Sequence, residues 1–197
     1  MKKFTLPEDG GLIEAGLPEG ILHSYERIPA QIFEDEDVAS ADLADEIIRA
    51  INGSYGTFRL GMTTGTSPVT LYRELVRRHK AGDVSFADVE IFSIDEYYPA
   101  PADNQSRNKR LYEEFVAKVD VKPESVHVPK LSEEHESAYV TEFCAKYDAM
   151  ASGLDMLILG TGDKGEVGFN EFPASEVSRT RTVLLPYTSR KRQAKNF

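Results

Sequence analysis

The sequence predicts an α/β protein built on a doubly wound, mostly parallel sheet with helices on both faces. Short runs rich in β-branched and aromatic residues alternate along the chain with segments whose apolar residues recur every three or four positions. Strands that alternate with helices favour parallel pairing, because two parallel strands need a long crossover connection between them. The length of 197 residues fits one domain of this Rossmann-like type.

The predicted elements follow one another along the chain. Residues 1–27, which are rich in glycine, predict an irregular extension, and residues 28–197 are expected to form the domain. Apolar spacing predicts helices from 37 to about 52, from 68 past 79, over 111–116 and, most clearly amphipathic, over 139–150. Alternating or continuous apolar runs predict strands at 58–62, 89–94 and 155–159.

The bulk composition limits the partners and the location of the protein. A net charge of -10 argues against a general nucleic-acid binder. The start of the chain lacks the apolar run of a signal peptide and no segment approaches membrane-spanning length, so no membrane partner is expected. A single cysteine, Cys144, excludes an internal disulfide framework and favours a reducing, cytoplasmic location. The histidines and this cysteine lack the spacing of metal ligands.

The charge is unevenly distributed, because residues 179–197 contain Lys and Arg but neither Asp nor Glu. One interpretation is a basic helix face on an otherwise acidic surface. The other interpretation places this basic cluster near an anionic ligand. The charge pattern leaves both open.

Residues 61–68 (GMTTGTSP) join a predicted strand to a predicted helix. Ser67 suits the N-cap of that helix and Pro68 suits its first position. Amides at the N-terminus of a helix, together with several hydroxyl groups, can bind a phosphate without a lysine. The segment is not a Walker A loop, because no Gly-Lys-Ser/Thr follows. The alternative is an ordinary capped turn.

Residues 93–99 (SIDEYYP) follow the next predicted strand, and ligands of such sheets bind beyond the carboxyl ends of the strands. Asp95 and Glu96 are adjacent acids that could include a general base for removing a proton from carbon. The alternative is a solvated acidic turn with tyrosines packed beside it.

Residues 159–171 (LGTGDKGEVGFNE) follow the last predicted strand and formally satisfy G-x-G-x-x-G. A dinucleotide site is nevertheless a poor interpretation. Residues 166–170 do not predict a long helix, and residues 182–185 lack the acid expected at that distance from the glycines.

These motifs together resemble those of one enzyme family. The segments TGTSP (64–68), DEY (95–97), the glycine motif ending in FNE (160–171) and SRTR (178–181) occur in the same order and at similar spacing in glucosamine-6-phosphate deaminases. Those enzymes are also called isomerases, and they share a fold superfamily with 6-phosphogluconolactonases. The similarity extends over roughly residues 30–197, and the FNE segment favours the deaminase branch.

The resemblance implies a reaction and a set of roles. An amino-sugar phosphate opens its ring, a carboxylate moves a proton between C2 and C1, and ammonia leaves as a ketose phosphate forms. Asp95 matches the proton-transfer aspartate and Glu171 an acid of the ring-opening apparatus. The residues that match the phosphate site are Thr64, Gly65, Thr66, Ser67 and Lys195, the last of which replaces an arginine of the family. The implied partner is a phosphorylated amino sugar, a homo-oligomer is an option, and no cofactor is implied.

The chain departs from the family at the histidine that assists ring opening. The family reads Asp-Gly-His where this chain has Lys164, Gly165 and Glu166. A histidine exchanges protons near neutral pH, whereas a glutamate does so only when its pKa is raised. One interpretation is that Lys164 and Glu166 form an ion pair, and a less favoured one is that they are a retuned acid–base pair.

Three functions remain as hypotheses. The leading one is a hexosamine-6-phosphate isomerase or deaminase with Asp95 as the base. The second is a non-catalytic sugar-phosphate-binding domain that has lost the ring-opening histidine, and the third and weakest is a 6-phosphogluconolactonase. The chain also stops inside what resembles a helix that family members continue, so the C-terminal part of the family fold is expected to be missing.

Overall fold

The computed structural model describes residues 4–5, 31–99, 106–131, 136–162, 165–171, 173–175 and 177–193. Its strands are β1 (Phe4–Thr5), β2 (Gln31–Ile32), β3 (Phe58–Met62), β4 (Val89–Ser93), β5 (Val126–His127) and β6 (Met156–Leu157). Its α-helices are α1 (Glu36–Gly53), α2 (Val69–Lys80), α3 (Arg107–Glu114), α4 (Ser137–Met150) and α5 (Tyr187–Gln193).

The central sheet contains four parallel strands in the order β5-β4-β3-β6. This arrangement confirms the predicted α/β fold with its parallel sheet. β3 and β4 pair along their whole length, from Phe58 opposite Val89 to Met62 opposite Ser93. The segments that follow these two strands therefore leave the sheet side by side at the same edge.

Helices cover both faces of the sheet. Ile91 and Phe92 are neighbours in β4, so their side chains point to opposite faces, yet they are only 0% and 2% exposed. Ile91 belongs to a core that includes Ile47 of α1 and Leu75 of α2. Phe92 lies edge-on against Tyr147 of α4. The two faces are thus covered by different helices, as a doubly wound fold requires.

The local sequence of α1 determines where the helix begins and which of its faces is buried. The carboxylate of Asp35 accepts a hydrogen bond from the amide of Val38 at 2.9 Å and caps the N-terminus. The buried residues recur at helical spacing and are Ser40, Ala44, Ile47, Ile48 and Ile51. The prediction of a helix from 37 to about 52 agrees with these bounds to within one residue.

β6 differs from its prediction. The run 155–159 was expected to form a buried strand, but β6 contains only two residues and lies at the edge of the sheet. Leu157 and Leu159 are exposed, while Ile158 is buried. An edge strand has a neighbour on one side only, so an apolar run there need not be enclosed.

α3 and α4 bury fewer residues than expected. α3 ends at Glu114, and Val116 belongs to a 3₁₀ turn (Val116–Lys118) instead. Tyr112, which belongs to the apolar run of the helix predicted over 111–116, is exposed. So are Tyr139 and Met150, the first and last residues of the helix predicted over 139–150. The buried stripe of α4 consists of Val140, Cys144 and Tyr147.

No helix in the described part of the chain combines the length and the apolar character needed to cross a membrane.

The extension at residues 1–27 is described only at β1. Phe4 pairs with Ile32 and Thr5 with Gln31, in an antiparallel arrangement. These two residues are therefore in a short strand, whereas irregular structure was expected throughout the extension; the rest of it lies outside the described residues.

Replacing Tyr147 with phenylalanine should lower the free energy of unfolding by about 1–3 kcal/mol, because a buried donor is removed from its acceptors. The hydroxyl group donates to the carbonyl of Ser93 at 2.6 Å and lies 3.0 Å from that of His127. Burial raises the pKa of Tyr147, so the hydroxyl stays protonated. Urea unfolding measures the effect.

The matched control for this change is Tyr112→Phe, at an exposed position. We expect the control to stay within about 0.5 kcal/mol of the wild-type protein. Equal stability of the two variants would contradict the role given to the Tyr147 hydroxyl.

Candidate functional site

Asp95 lies two residues beyond β4, and its side chain is only 8% exposed. Thr64 lies two residues beyond β3, and its hydroxyl group donates a hydrogen bond to Oδ1 of Asp95. The contact follows from the register of the sheet, because β3 and β4 end side by side. The fold thus brings two of the predicted site residues together, and the alternative of a solvated acidic turn at Asp95 is wrong.

A third group at this carboxylate is the guanidinium of Arg107, the first residue of α3. Its Nη1 lies 3.3 Å from Oδ2 and 3.5 Å from Oδ1 of Asp95. The same guanidinium lies over the ring of Phe169 at 4.3 Å and near that of Tyr97 at 5.4 Å. Sequence reasoning missed Arg107, because no motif or spacing in the chain marks that position.

The neighbouring acid, Glu96, has a different set of partners. Its carboxylate accepts hydrogen bonds at 2.7–3.2 Å from the hydroxyl of Ser106 and from the amides of Tyr97, Arg107 and Asn108. The first amides of a helix lack partners within the helix, and Glu96 satisfies two of those at the start of α3. Of the two adjacent acids, Asp95 is therefore the candidate base and Glu96 a helix cap.

The predicted phosphate loop, residues 64–67, leads into α2 as expected, with a shift of one residue. Pro68 occupies the N-cap and Val69 the first helical position, so the prediction of Ser67 as the N-cap was wrong. The reason is that the amide of Tyr72 donates to the carbonyl of Pro68, which makes Pro68 the first acceptor of the helix. No side chain of the described residues caps this end of α2.

The side chains of residues 64–67 differ in burial and point in two directions. Thr64 is buried against Asp95, whereas Thr66 and Ser67 are exposed. Gly65 has φ of +98°, which turns the chain between these two orientations. The exposed hydroxyl groups and the uncapped amides of α2 are available to an anion.

The glycine motif at 160–171 folds back on itself rather than continuing into a helix, which agrees with the rejection of a dinucleotide site. The amide of Gly162 donates to the carbonyl of Glu166 at 2.8 Å. The carboxyl group of Glu166 is buried so tightly against Gly162 that a Cβ there would lie 2.3 Å from the carboxyl carbon. Lys164, the expected partner of Glu166, lies outside the described residues.

Gly168 brings this loop against Asp95. It has φ of +59°, and a Cβ added at this position would lie 3.3 Å from Oδ2 of Asp95. The backbone at Gly168 therefore covers the carboxylate on the side not occupied by Thr64.

The end of the motif connects the loop to the C-terminal part of the chain. Oε1 of Glu171 accepts a hydrogen bond from the hydroxyl of Ser189 in α5. Oδ1 of Asn170 accepts one from Nη2 of Arg181 at 3.0 Å. Glu171 is thus half-buried and held by α5, and Lys195, beyond α5, lies outside the described residues.

A pocket of about 350 Å³ opens beside Asp95. Its lining also includes Phe169, Asn170, Arg179 and Arg181, so part of the basic cluster lies next to a cavity. That placement favours the interpretation of the cluster as part of an anion site. Residues 64–67, all of which the structure describes, are not in the lining. Residues 64–67 are connected to the pocket through the contact between Thr64 and Asp95.

Asp148 offsets part of the positive charge at the pocket. It accepts hydrogen bonds from the amide of Thr180 at 3.1 Å and from Nη1 of Arg179 at 2.9 Å. The amide of Thr180, followed by the side chains of Arg179 and Thr180, lowers the pKa of Asp148. Arg179 therefore already has an anionic partner in this structure.

Comparison with known proteins identifies relatives along most of the chain. Residues 34–195 match the family model described as glucosamine-6-phosphate isomerases/6-phosphogluconolactonase. A glucosamine-6-phosphate isomerase of Candida albicans is 35% identical over 170 residues, which cover 84% of this chain and 67% of the relative. A glucosamine-6-phosphate deaminase of Beutenbergia cavernae is 39% identical over 142 residues, which cover 70% of this chain and 53% of the relative. The chain spans about half to two thirds of the length of these relatives.

Among solved structures, a monomeric glucosamine-6-phosphate deaminase is similar in fold. It has a TM-score of 0.75 and 27% sequence identity, and the match covers 84% of this chain and 68% of that one.

Replacing Gly168 with alanine should lower the free energy of unfolding by about 1 kcal/mol or more. The new Cβ would have a strained positive φ and would press on the Asp95 carboxylate. Gly53→Ala is the matched control, because a Cβ at that position meets nothing within 4 Å. Urea unfolding measures the stability of both variants. If Gly168→Ala were as stable as the wild-type protein and the control, the close approach of the loop to Asp95 would be contradicted.

Proposed function

Because the chain belongs to the glucosamine-6-phosphate isomerase/6-phosphogluconolactonase family, we propose that it acts on a hexosamine 6-phosphate as an isomerase and deaminase. The products are a ketose phosphate and ammonia. The observation that carries the proposal is the buried Asp95 carboxylate, which lies at a pocket and in contact with the phosphate loop. The relatives named as glucosamine-6-phosphate isomerases or deaminases support it.

Asp95 is the proton-transfer base of this proposal. In the open-chain sugar, the carboxylate takes the proton from C2, the electron pair of that C–H bond forms a double bond to C1, and the π pair of the C1 carbonyl moves to O1, which takes up a proton. The carboxyl group then returns its proton to C1 while the lone pair of the amine nitrogen forms a C=N bond at C2. Water hydrolyses this imine to the ketone and releases ammonia. An ionised carboxylate held close to the carbon is a competent base for such a transfer.

The phosphate group would bind at residues 64–67. Thr66 and Ser67 offer exposed hydroxyl groups, and the uncapped start of α2 offers amides and the positive end of a helix dipole. The contact between Thr64 and Asp95 keeps the phosphate site and the base within the reach of one sugar. Lys195 remains a proposed additional cation for the phosphate.

Ring opening is assigned to Glu171 and, more weakly, to Glu166 and Lys164. Glu171 is anchored by Ser189 of α5, which would hold it in a fixed position beside the glycine loop. Glu166 stands where the family carries a histidine, and its buried carboxyl group packs against Gly162.

A second candidate is a non-catalytic sugar-phosphate-binding domain. It is favoured by the presence of Glu166 in place of the histidine, because an imidazole exchanges protons near neutral pH, whereas a carboxyl group does so only when its pKa is raised. Both candidates bind a phosphorylated sugar, and only the first turns it over. A lactonase remains a weaker third possibility, since Asn170 and Glu171 fit the deaminase branch better.

Replacing Asp95 with asparagine should slow the exchange of the C2 proton of glucosamine 6-phosphate in heavy water by at least about 100-fold. Binding of the sugar phosphate should change little, because the phosphate loop is intact. Proton NMR follows the C2 signal, and isothermal titration calorimetry measures binding.

The control is Asp88→Asn, an exposed aspartate whose nearest charged partner is Lys122. It should exchange the C2 proton like the wild-type protein. A wild-type protein that binds the sugar phosphate without exchanging the proton would establish the second candidate. A wild-type protein that does not bind would exclude both.

Replacing Glu166 with histidine should accelerate ring opening by about ten-fold or more, because it restores a group that exchanges protons near neutral pH. Exchange between the two anomer signals of glucosamine 6-phosphate, followed by NMR saturation transfer, reports this step. Glu166→Gln is the matched control and should give no acceleration. If the wild-type protein already accelerates anomer exchange and the glutamine variant does not, Glu166 itself is the ring-opening acid–base group.

A further inference from the structure

The proposed reaction gives no role to Arg107, the cation that contacts Asp95. The guanidinium of Arg107 contacts both oxygens of Asp95, and the two side chains are only 16% and 8% exposed. The Coulomb attraction between two opposite charges is larger where water is largely excluded than at the surface. The ion pair also leaves few orientations open to the carboxylate.

The guanidinium is held by more than its charge. The rings of Tyr97 and Phe169 lie 5.2 Å apart, and the guanidinium lies over both of them. A cation over aromatic faces is attracted by the ring quadrupole, most strongly where water is excluded. On another side, a Cβ at Gly65 would lie 3.4 Å from Nη1 of Arg107, so the phosphate loop also packs against this group.

The backbone of Arg107 is fixed by Glu96. The amides of Arg107 and Asn108 both donate to the Glu96 carboxylate, at 3.2 and 2.9 Å. The hydroxyl of Ser106 donates to the same carboxylate at 2.7 Å and accepts from the amide of Lys109 at 3.0 Å. Glu96, the residue next to Asp95, therefore determines where α3 begins and from which point of the helix the Arg107 side chain extends.

We propose that Arg107 is a positioning residue that fixes the orientation of the Asp95 carboxylate toward the pocket, with Tyr97 and Phe169 holding its guanidinium and Glu96 its backbone. The consequence for catalysis rests on the proposed function, whereas the orientation itself does not. The guanidinium reaches both carboxylate oxygens through Nη1 while its plane stacks on the rings. The compact ammonium of lysine does not reproduce that stacking, so lysine is a poor substitute.

The first test measures exchange of the C2 proton of glucosamine 6-phosphate in Arg107→Met. We expect the exchange rate to fall about 100-fold while the affinity for the sugar phosphate is retained, because a misplaced base loses rate rather than binding. The exchange rate of Arg107→Lys should lie between those of the wild-type protein and Arg107→Met. Arg110→Met, the same change on the same helix, should exchange like the wild-type protein. A loss of affinity equal to the loss of rate in Arg107→Met would overturn the proposal.

The second test is chemical rescue. Arg107→Ala leaves space between the Asp95 carboxylate and the two rings, and free guanidinium ion at millimolar concentration should restore exchange in this variant. Guanidinium should not accelerate Arg110→Ala or the wild-type protein. A residue that only supported the fold would not be rescued by a small cation, so the absence of rescue counts against the proposal.

The third test does not depend on turnover. Urea midpoints are compared for Arg107→Met, Asp95→Asn and the double variant. Because the two groups contact each other, the double variant should unfold at a midpoint no lower than that of the less stable single variant. Strictly additive decreases would overturn the pairing. If the wild-type protein fails to exchange the C2 proton, the proposed function fails, and this comparison alone decides whether Arg107 orients Asp95.

Discussion

The candidate site depends on a carboxylate that the fold has removed from water. Burying the charge of Asp95 is costly unless partners replace its hydration. The fold supplies two partners from different segments, the hydroxyl of Thr64 after β3 and the guanidinium of Arg107 at the start of α3. The backbone of Gly168 then closes over the carboxylate and excludes a larger residue. Each of these segments has to keep its place if the carboxylate is to stay in its position at the pocket.

Two adjacent acids at the end of β4 perform different tasks. Asp95 lines the pocket, while Glu96 satisfies amides at the start of α3. The cap matters for the site as well as for the helix, because α3 begins with Arg107. Helix capping and the positioning of the charged pair are therefore one structural arrangement, and a change in the cap would be transmitted to the Asp95 carboxylate.

The chain keeps the residues expected from the family resemblance at Asp95 and at residues 64–67, and it departs from that resemblance at Glu166. Glu166 is buried against Gly162, and the guanidinium of Arg107 lies beside Asp95. The roles proposed for Asp95 and Glu166 can thus be tested by separate substitutions. Arginines of the basic cluster also line the pocket, although Asp148 already pairs with one of them.

The sequence by itself determined the alternation of strands and helices and drew attention to Asp95 and Thr64, because periodicity and motif spacing depend on neighbours along the chain. Their hydrogen bond then follows from the parallel register of β3 and β4. Only the tertiary structure decided that Arg107 joins them, because that contact depends on where α3 begins. It likewise decided that the apolar run of β6 lies at an edge, and that Glu171 is held by α5. Such contacts join distant segments, so they are set by packing and have no local pattern to reveal them.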